Sequence, residues 1–565
     1  MTSFLNPFFT AAMLFSASTL MAQNAGELDP SFGEEGLAIL SPVASNSMDN
    51  AQCVDIRPTG EIVFAGVSGG FSGFGMTVGQ VLPDGTMDVS FGTNGVTTIE
   101  GVGGSNFGYD IEVLTDGKLL VCGAVSLTAA NTAMAVWRFT TDGNLDASFG
   151  DNGALIVDVD SSEDYARDIL MDGSGQITVV GNSKQPDNFL YRAVMIRFDE
   201  SGIVDGNFGI YGTQVYPMNT DVNCDVRAGV MSPTGEIYLA GYTTVSSTSQ
   251  PIVMGFSNSG EPLESFGEAG IFNTGVEGRY FDVDFANNGL IAVGDGNNGA
   301  TGVVRAHNLT GEINPYFGDS GTALVSGAPG NALLALEMQA DGKILVAGSA
   351  SMGFMMRDFL VARLHSSGFL DQEWGQDGVT VTEVGPGFED VNDLAIQPDG
   401  KIVAAGFGQF TNNEYVFARY DSGELGEVLG CTEPEACNYN PNATSDDGTC
   451  FSPGDACDDG DDETENDTYN ESCDCIGQPL VNGLSALEVA GFQLFPNPAV
   501  DCVNIRFPTA QPRSIVLRSL AGERVWEMKS ETTEEWIALN SVASGVYTLS
   551  ISDAHQIWVE RLVIH

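Results

Sequence analysis

The sequence predicts an all-β chain: a seven-bladed β-propeller, then a disulfide-rich acidic linker and a small C-terminal β-sandwich. Three observations carry this. An aromatic-glycine mark recurs seven times, at Phe32-Gly33, Phe91-Gly92, Phe149-Gly150, Phe208-Gly209, Phe266-Gly267, Phe317-Gly318 and Trp374-Gly375, at intervals of 59, 58, 59, 58, 51 and 57 residues. Six of the ten cysteines crowd into Cys431, Cys437, Cys450, Cys457, Cys473 and Cys475. Beyond them, alternating apolar and polar residues resume to the C-terminus.

The first element is an apolar N-terminal stretch ending in small residues. Residues 1–22 read as a secretory signal peptide with cleavage after Ala22. No other apolar run is long enough to span a bilayer as a helix, so no transmembrane segment is expected.

The array follows, over 28–423. After Phe91-Gly92 come the alternating runs Val96–Ile99 and Tyr109–Leu114, the turn at Asp116-Gly117, then Lys118–Gly123 and Ala133–Phe139, and a second turn at Asp142-Gly143. One unit thus supplies four strands. The first turn recurs as Pro58-Thr59-Gly60, Ser174-Gly175, Pro233-Thr234-Gly235, Asn288-Gly289, Asp341-Gly342 and Asp399-Gly400. The second recurs as Asp84-Gly85, Ser201-Gly202, Ser259-Gly260, Thr310-Gly311, Ser367-Gly368 and Ser422-Gly423. In each, glycine can take the positive φ that a tight hairpin requires. Sheets of such short strands must stack on their neighbours, and radial stacking of seven closes without long exposed edges. The recurrent Phe is expected to plug the joints between sheets. The preceding Asp29, Asp88, Asp146 and Asp205 are expected to bond backbone amides of their turns.

These marks resemble a known family. "LDxSFGxxG", "QPDGKIVAAG" from Gln397 to Gly406, and "RLHSSG" and "RYDSG" at Arg363 and Arg419 are similar to the delta-60 repeats of exported bacterial proteins. The resemblance implies a propeller-like array with no assigned activity. Units five and six, with the short interval to Phe317, depart from the pattern and mark where a loop face would be specialised.

Residues 430–478 form the third element. Not one Lys or Arg lies between Arg419 and Arg506, and 14 acidic residues lie within Cys431–Cys475. The even cysteine count in a core-poor exported segment points to three disulfides of unspecified pairing. Zinc is disfavoured because the segment holds no His. The segment resembles cysteine-rich linkers in surface proteins of Bacteroidetes. Asp446, Asp447, Asp458, Asp459, Asp461, Asp462 and Asp467 offer oxygen ligands to calcium, the one cofactor the sequence raises; a solvated, disulfide-stapled spacer is the competing reading.

Residues 484–565 close the chain. "FPNPAVDCVNI", "SGVYTLSI" and "ERLVIH" are similar to the C-terminal sorting domain read by the type IX secretion system, with Pro496, Asn497, Pro498, Gly545, Val546 and Tyr547 matching its pattern. That resemblance implies the secretion machinery as a partner, and secretion or display on the outer cell surface.

The sequence excludes more about function than it specifies. Lysine and arginine total 21 against 76 acidic residues, a formal charge of −55, which repels nucleic acid. No catalytic motif is present. Of the four histidines, His307 and His365 fall two residues after strand-end arginines, at turn positions. The arginines there (Arg138, Arg197, Arg305, Arg363, Arg419) are expected to pair with repeat aspartates. The expected function is non-catalytic: adhesion to an extracellular protein or glycan through loops such as 68–75, 185–190, 244–250 and 350–357. A polysaccharide lyase or hydrolase, or a calcium-stiffened structural surface protein, are the alternatives. An enzyme would gather Arg, His, Tyr or carboxylates at one channel mouth, and no such cluster is visible in the sequence.

Overall fold

The computed structural model describes residues 24–423 apart from 43–47, 71–72, 102–103, 173–174, 189, 217–222, 287–288, 297–298, 300, 326–331 and 354–355. It also describes scattered stretches of 429–479, and 492–565 apart from 520–522, 541 and 554–556. The chain divides into two compact units, 1–428 and 429–565. The signal peptide reading lies outside the described residues.

In the first unit the described residues between Leu37 and Tyr420 form seven four-stranded antiparallel sheets. The first sheet runs Asn50–Ile56, Ile62–Gly70, Gly73–Val81, Val96–Ile99, and five more repeat this order. Glycine at φ +80° in the hairpin at Gly117 exemplifies the turn chemistry. Gly289 differs, pairing with Ala286 at the start of strand Gly289–Gly296.

The sheet boundary falls inside the sequence unit. Val96–Ile99, which follows the Phe91-Gly92 mark, pairs backward onto Gly73–Val81 as the fourth strand of the preceding sheet. By the same rule the N-terminal strand Leu37–Leu40 has no preceding sheet. It pairs instead with Asn413–Tyr420 and completes the seventh, after Glu389–Ile396 and Ile402–Gln409. The inner strands pack side by side in sequence, and the seventh lies against the first, so the sheets form a closed ring.

Each apolar core lies between two sheets. One unites Cys53, Val63 and Val78 of the first sheet with Ile111, Leu119 and Trp137 of the second. The recurrent aromatics sit in these joints, each at most 3% exposed. A Cβ on Gly143 (φ +80°) would lie 2.6 Å from the Phe91 ring, so the turn of one unit closes over the plug of the unit before. In six of the seven joints the glycine after the aromatic also donates to a neighbouring turn, as from Gly92 N to Asp142 O at 2.8 Å. In the last joint that acceptor is Ala25 O, from the N-terminus.

In the second unit the six clustered cysteines pair as Cys431–Cys450, Cys437–Cys473 and Cys457–Cys475. The end of the chain forms a three-stranded sheet (Gln493–Phe495, Cys502–Arg506, Glu534–Ala538) and a four-stranded one (Arg524–Ser530, Arg513–Ser519, Gly545–Ser552, Ile557–Ile564). Both contribute to one apolar core that includes Val503, Ile505, Ile515, Leu549 and Leu562.

Candidate functional site

The repeat marks are structural. Asp29, Asp88, Asp146 and Asp205 each accept the backbone N–H two residues on, at 2.9–3.0 Å. Arg138, Arg363 and Arg419 pair with Asp146, Asp371 and Asp29 at 2.8–2.9 Å. Arg197 and Arg305 depart from this pattern and reach Thr178 and Thr322 instead. His365 is a half-exposed turn residue 3.6 Å from Asp371. His307 is not in a turn. It ends strand Thr301–His307, is buried, and contacts Tyr280 Oη through Nε2 (2.9 Å) and Gly311 O through Nδ1 (2.8 Å). Burial lowers its pKa to about 4, so it is a neutral packing residue.

The calcium candidates Asp447, Asp458, Asp459, Asp461 and Asp462 lie outside the described residues. Asp446 and Asp467 stand on strands Ser445–Asp446 and Thr464–Tyr469, and their side chains are likewise outside the description. Among the described residues no group of three or more His, Cys, Asp or Glu is placed to hold a metal.

What breaks the repeat is the inner wall of the ring. Each inner strand carries one residue too many against its partner, and a bulge of this kind re-aims a side chain. The extra residues are Gln52, Tyr109, Arg167, Arg227, Phe281, Leu334 and Asn392. The next position carries Asp110, Asp168, Asp282 and Asp393 in four sheets. These carboxylates staple neighbouring inner strands. Asp110 accepts from its own Ile111 N and from Ile169 N of the next sheet, both at 2.8 Å. Asp282 accepts from Val283 N and Leu336 N, both at 2.7 Å, and Asp393 from Leu394 N and Val54 N, both at 2.8 Å.

Two positions further on, Asp55, Glu112, Asp284 and Glu337 form a second acidic tier, whose charges act on one another across the axis. All eight side chains keep some accessible surface yet are surrounded by protein. Burial, reinforced by neighbouring carboxylates, pushes Asp282 up to about 7 and holds Asp168, Asp393, Glu112 and Glu337 well above the usual carboxylate range.

Hairpin tips such as Thr244–Gln250 open at the end where the inner strands begin, and the aromatic-glycine turns lie at the other end. At the hairpin-tip end a belt of aromatics and arginines crosses four sheets, the second to the fifth. Ring centroids step from Phe107 to Tyr109 (5.9 Å), Tyr165 (6.4 Å) and Tyr191 (6.2 Å). The Arg167 guanidinium lies 4.3 Å from the Tyr109 centroid and 5.0 Å from that of Tyr165. Arg227 pairs with Asp225 at 3.2 Å, and Arg279 pairs with Asp295 through Nε at 2.9 Å. Glu163 accepts from Lys184 Nζ and Tyr191 Oη, both at 2.7 Å. The cluster that sequence reasoning missed therefore exists, on sheets two to five rather than in the irregular fifth and sixth units alone. Its members are far apart in the chain, and Tyr109, Arg167 and Arg227 occupy the inner-strand position where a bulge inverts the alternation, so periodicity hid them.

In the second unit, Asn497 donates to Arg561 O (2.7 Å) and accepts from Val563 N (3.0 Å), clamping the terminal strand. Gly545, Val546 and Tyr547 pair with Ile564, Val563 and Leu562 of that strand, and Tyr547 Oη donates to Ala543 O at 2.7 Å. The three motifs thus meet on one edge. Residues 493–565 match the secretion system C-terminal sorting domain. The sorting domain sends the chain to the outer surface or the extracellular space through the type IX system, whose machinery is its partner. No helix among the described residues is long and apolar enough to cross a membrane. Residues 114–149, 339–373 and 397–423 match a domain of unknown function (DUF5122) described as a β-propeller.

No functionally curated protein matches the chain. Among solved structures it is similar to a glucose dehydrogenase (11% identity, TM-score 0.32, covering 68% of this chain and 99% of that one) and to polysaccharide lyase Uly1 (10%, 0.39, 67% and 91%). It is also similar to PorZ, a surface component of the type IX secretion system of Porphyromonas gingivalis (12%, 0.16, 91% and 81%). At these scores the likenesses carry no argument about activity.

Proposed function

We propose that the chain is an exported, non-catalytic ligand-binding protein. Its seven sheets are the blades of a seven-bladed β-propeller over 28–423 of the delta-60 kind, and it binds an extracellular protein or glycan at the belt end of the axis. Residues 430–478 form a spacer module, and the two sheets of 484–565 a small β-sandwich that serves as address. The observation that carries this is the loss of sevenfold regularity at the bulge. Packing needs the same residue type in every copy, and these positions instead hold Tyr109, Arg167, Arg227 and Phe281 in consecutive sheets.

Within the belt, protonation favours binding over catalysis. Burial raises the Tyr109, Tyr165 and Tyr191 phenols above their usual value, and the Lys184 contact lowers Glu163, so none of these groups is tuned toward proton transfer near neutrality. A polysaccharide lyase or hydrolase is the second reading, favoured by the meeting of Arg167, Tyr165 and Glu163 in one place.

The test is a glycan and matrix-protein array probed with the full chain and with a Tyr109→Ala/Tyr165→Ala variant. A ligand that the variant fails to retain supports the mouth as the site; equal retention refutes it. Appearance of shortened glycan product during incubation would replace binding by the enzyme reading.

A further inference from the structure

We infer that this mouth takes an acidic saccharide, a sugar ring bearing a carboxylate or sulfate, with the anionic group on the Arg167 guanidinium and the ring against Tyr109 and Tyr165. The inference rests on the ligand-binding reading above and names its ligand class.

Among the described arginines at the hairpin-tip end, Arg167 alone has no acidic partner. Arg192, Arg227, Arg279 and Arg357 are tied to Asp160, Asp225, Asp295 and Asp390. Arg167 has no carboxylate within ion-pairing distance among the described residues, and its Nε is buried with no hydrogen-bond partner. In a chain with 76 acidic residues such isolation is not for want of carboxylates. Glu163, two residues before the neighbouring Tyr165, is instead occupied by Lys184 and Tyr191, and Tyr165 Oη reaches it at 3.4 Å. Glu163 is thus held by other donors, while the Arg167 guanidinium lies against the Tyr109 and Tyr165 rings with no carboxylate of the described residues paired to it. A planar fork fixed on two tyrosine rings is preorganised for a two-oxygen anion.

The rings select the rest of the ligand. Tyr109, Tyr165 and Tyr191 step around the mouth at 6.4 and 6.2 Å between centroids, a row of amphipathic surfaces with polar rims. A pyranose has one face of C–H bonds and an edge of hydroxyls, which matches such a row. An acidic peptide would seek backbone partners, and inner-strand amides such as Ile169 N, Leu336 N and Val54 N are already taken by Asp110, Asp282 and Asp393. The formal charge of −55 disfavours a long polyanion, so a short acidic oligosaccharide or chain end is the ligand size that fits; repulsion beyond about 10 Å is screened at ~0.1 M salt.

The experiment is calorimetric titration of the full chain with trigalacturonate, a sulfated galactose trisaccharide and neutral galactotriose at fixed ionic strength, for the native protein, Arg167→Gln and Arg167→Lys. The native protein should prefer at least one acidic probe over the neutral one by about tenfold or more, and which acidic probe wins distinguishes carboxylate from sulfate. Arg167→Gln should erase that preference, and Arg167→Lys should restore part of it, with thermal midpoints unchanged. Equal affinity for acidic and neutral probes, no binding of either acidic probe, or a preference that survives Arg167→Gln would overturn the inference. A neutral or protein ligand that still needs Tyr109 and Tyr165 would leave the binding reading standing and remove only the acidic class.

Discussion

Asp282 should make the stability of the ring depend on pH in the direction opposite to an ordinary surface carboxylate. Burial raises its pKa from 3.8 to about 7, against the lowering effect of the Val283 and Leu336 amides. Folding then favours the protonated form, so the stabilisation is complete below about pH 4 and is lost as pH rises through 7. At about 1.4 kcal/mol per pH unit the ceiling is about 4 kcal/mol. The residue is not fully shut off from solvent, which reduces this to roughly 2 kcal/mol, or about 2–4 °C in melting temperature for an array of this size.

Asp282→Asn removes the titration, and it also removes an acceptor. A protonated carboxyl oxygen keeps a lone pair for an N–H, whereas the amide nitrogen keeps none, so one staple bond is lost at every pH at a cost of about 1–3 kcal/mol. The variant should therefore melt below the native protein at pH 5 and draw level with it or pass it at pH 8. Thermal melts from pH 4.5 to 8.5 at fixed ionic strength read this out. The self-repulsion of an acidic chain is nearly common to both proteins and cancels in the difference. Two parallel curves, offset equally at every pH, would refute the reasoning, because Asp282 would then titrate as it does in the unfolded chain.

Other perturbations separate the parts of the molecule. Phe91→Ala empties a sealed joint and should cost about 3–5 kcal/mol in denaturant titration, whereas Val89→Ala nearby, 73% exposed, should cost little. Arg419→Ala strips a buried partner from Asp29 at the N-terminal closure and should cost about 3 kcal/mol, seen as early proteolysis at the N-terminus. Thiol reduction should open the three bonds within 431–475 and leave the melting of the seven sheets unchanged, because Cys53, Cys122 and Cys224 are buried and unbridged. Asn497→Ala removes two hydrogen bonds to the terminal strand, about 1–3 kcal/mol, and should raise the unexported fraction in a fractionated culture.

The array was legible in the sequence because its plugs and turns obey constraints that every copy shares. Phe149 must fill a joint, and Gly143 must take a positive φ under Phe91. The strand count followed, but grouping by sequence unit hid the pairing of Val96–Ile99 with the sheet before it, since hydrogen bonding has no local mark. The site was not legible for a different reason. Tyr109 and Arg167 read as ordinary alternating strand residues until a bulge turns them to the axis, and Asp110 and Asp282 become a tier only when the ring brings strands from distant units together. The sorting domain was easy to read because its motifs are contiguous and Asn497 touches the terminal strand directly.

The strand Leu37–Leu40 gives the ring a clasp made from both ends of the array. Its partner Tyr415–Ala418 is nearly the whole array away in sequence, so this pairing has the largest loop-closure entropy of any in the first unit. A growing or threading chain can stack its early sheets one by one and still remain an open, flexible arc. Only when the seventh sheet meets the first does Asp393 reach Val54. The ring that carries the belt is therefore closed through Leu37–Leu40, and removing that strand should leave the seventh sheet one strand short.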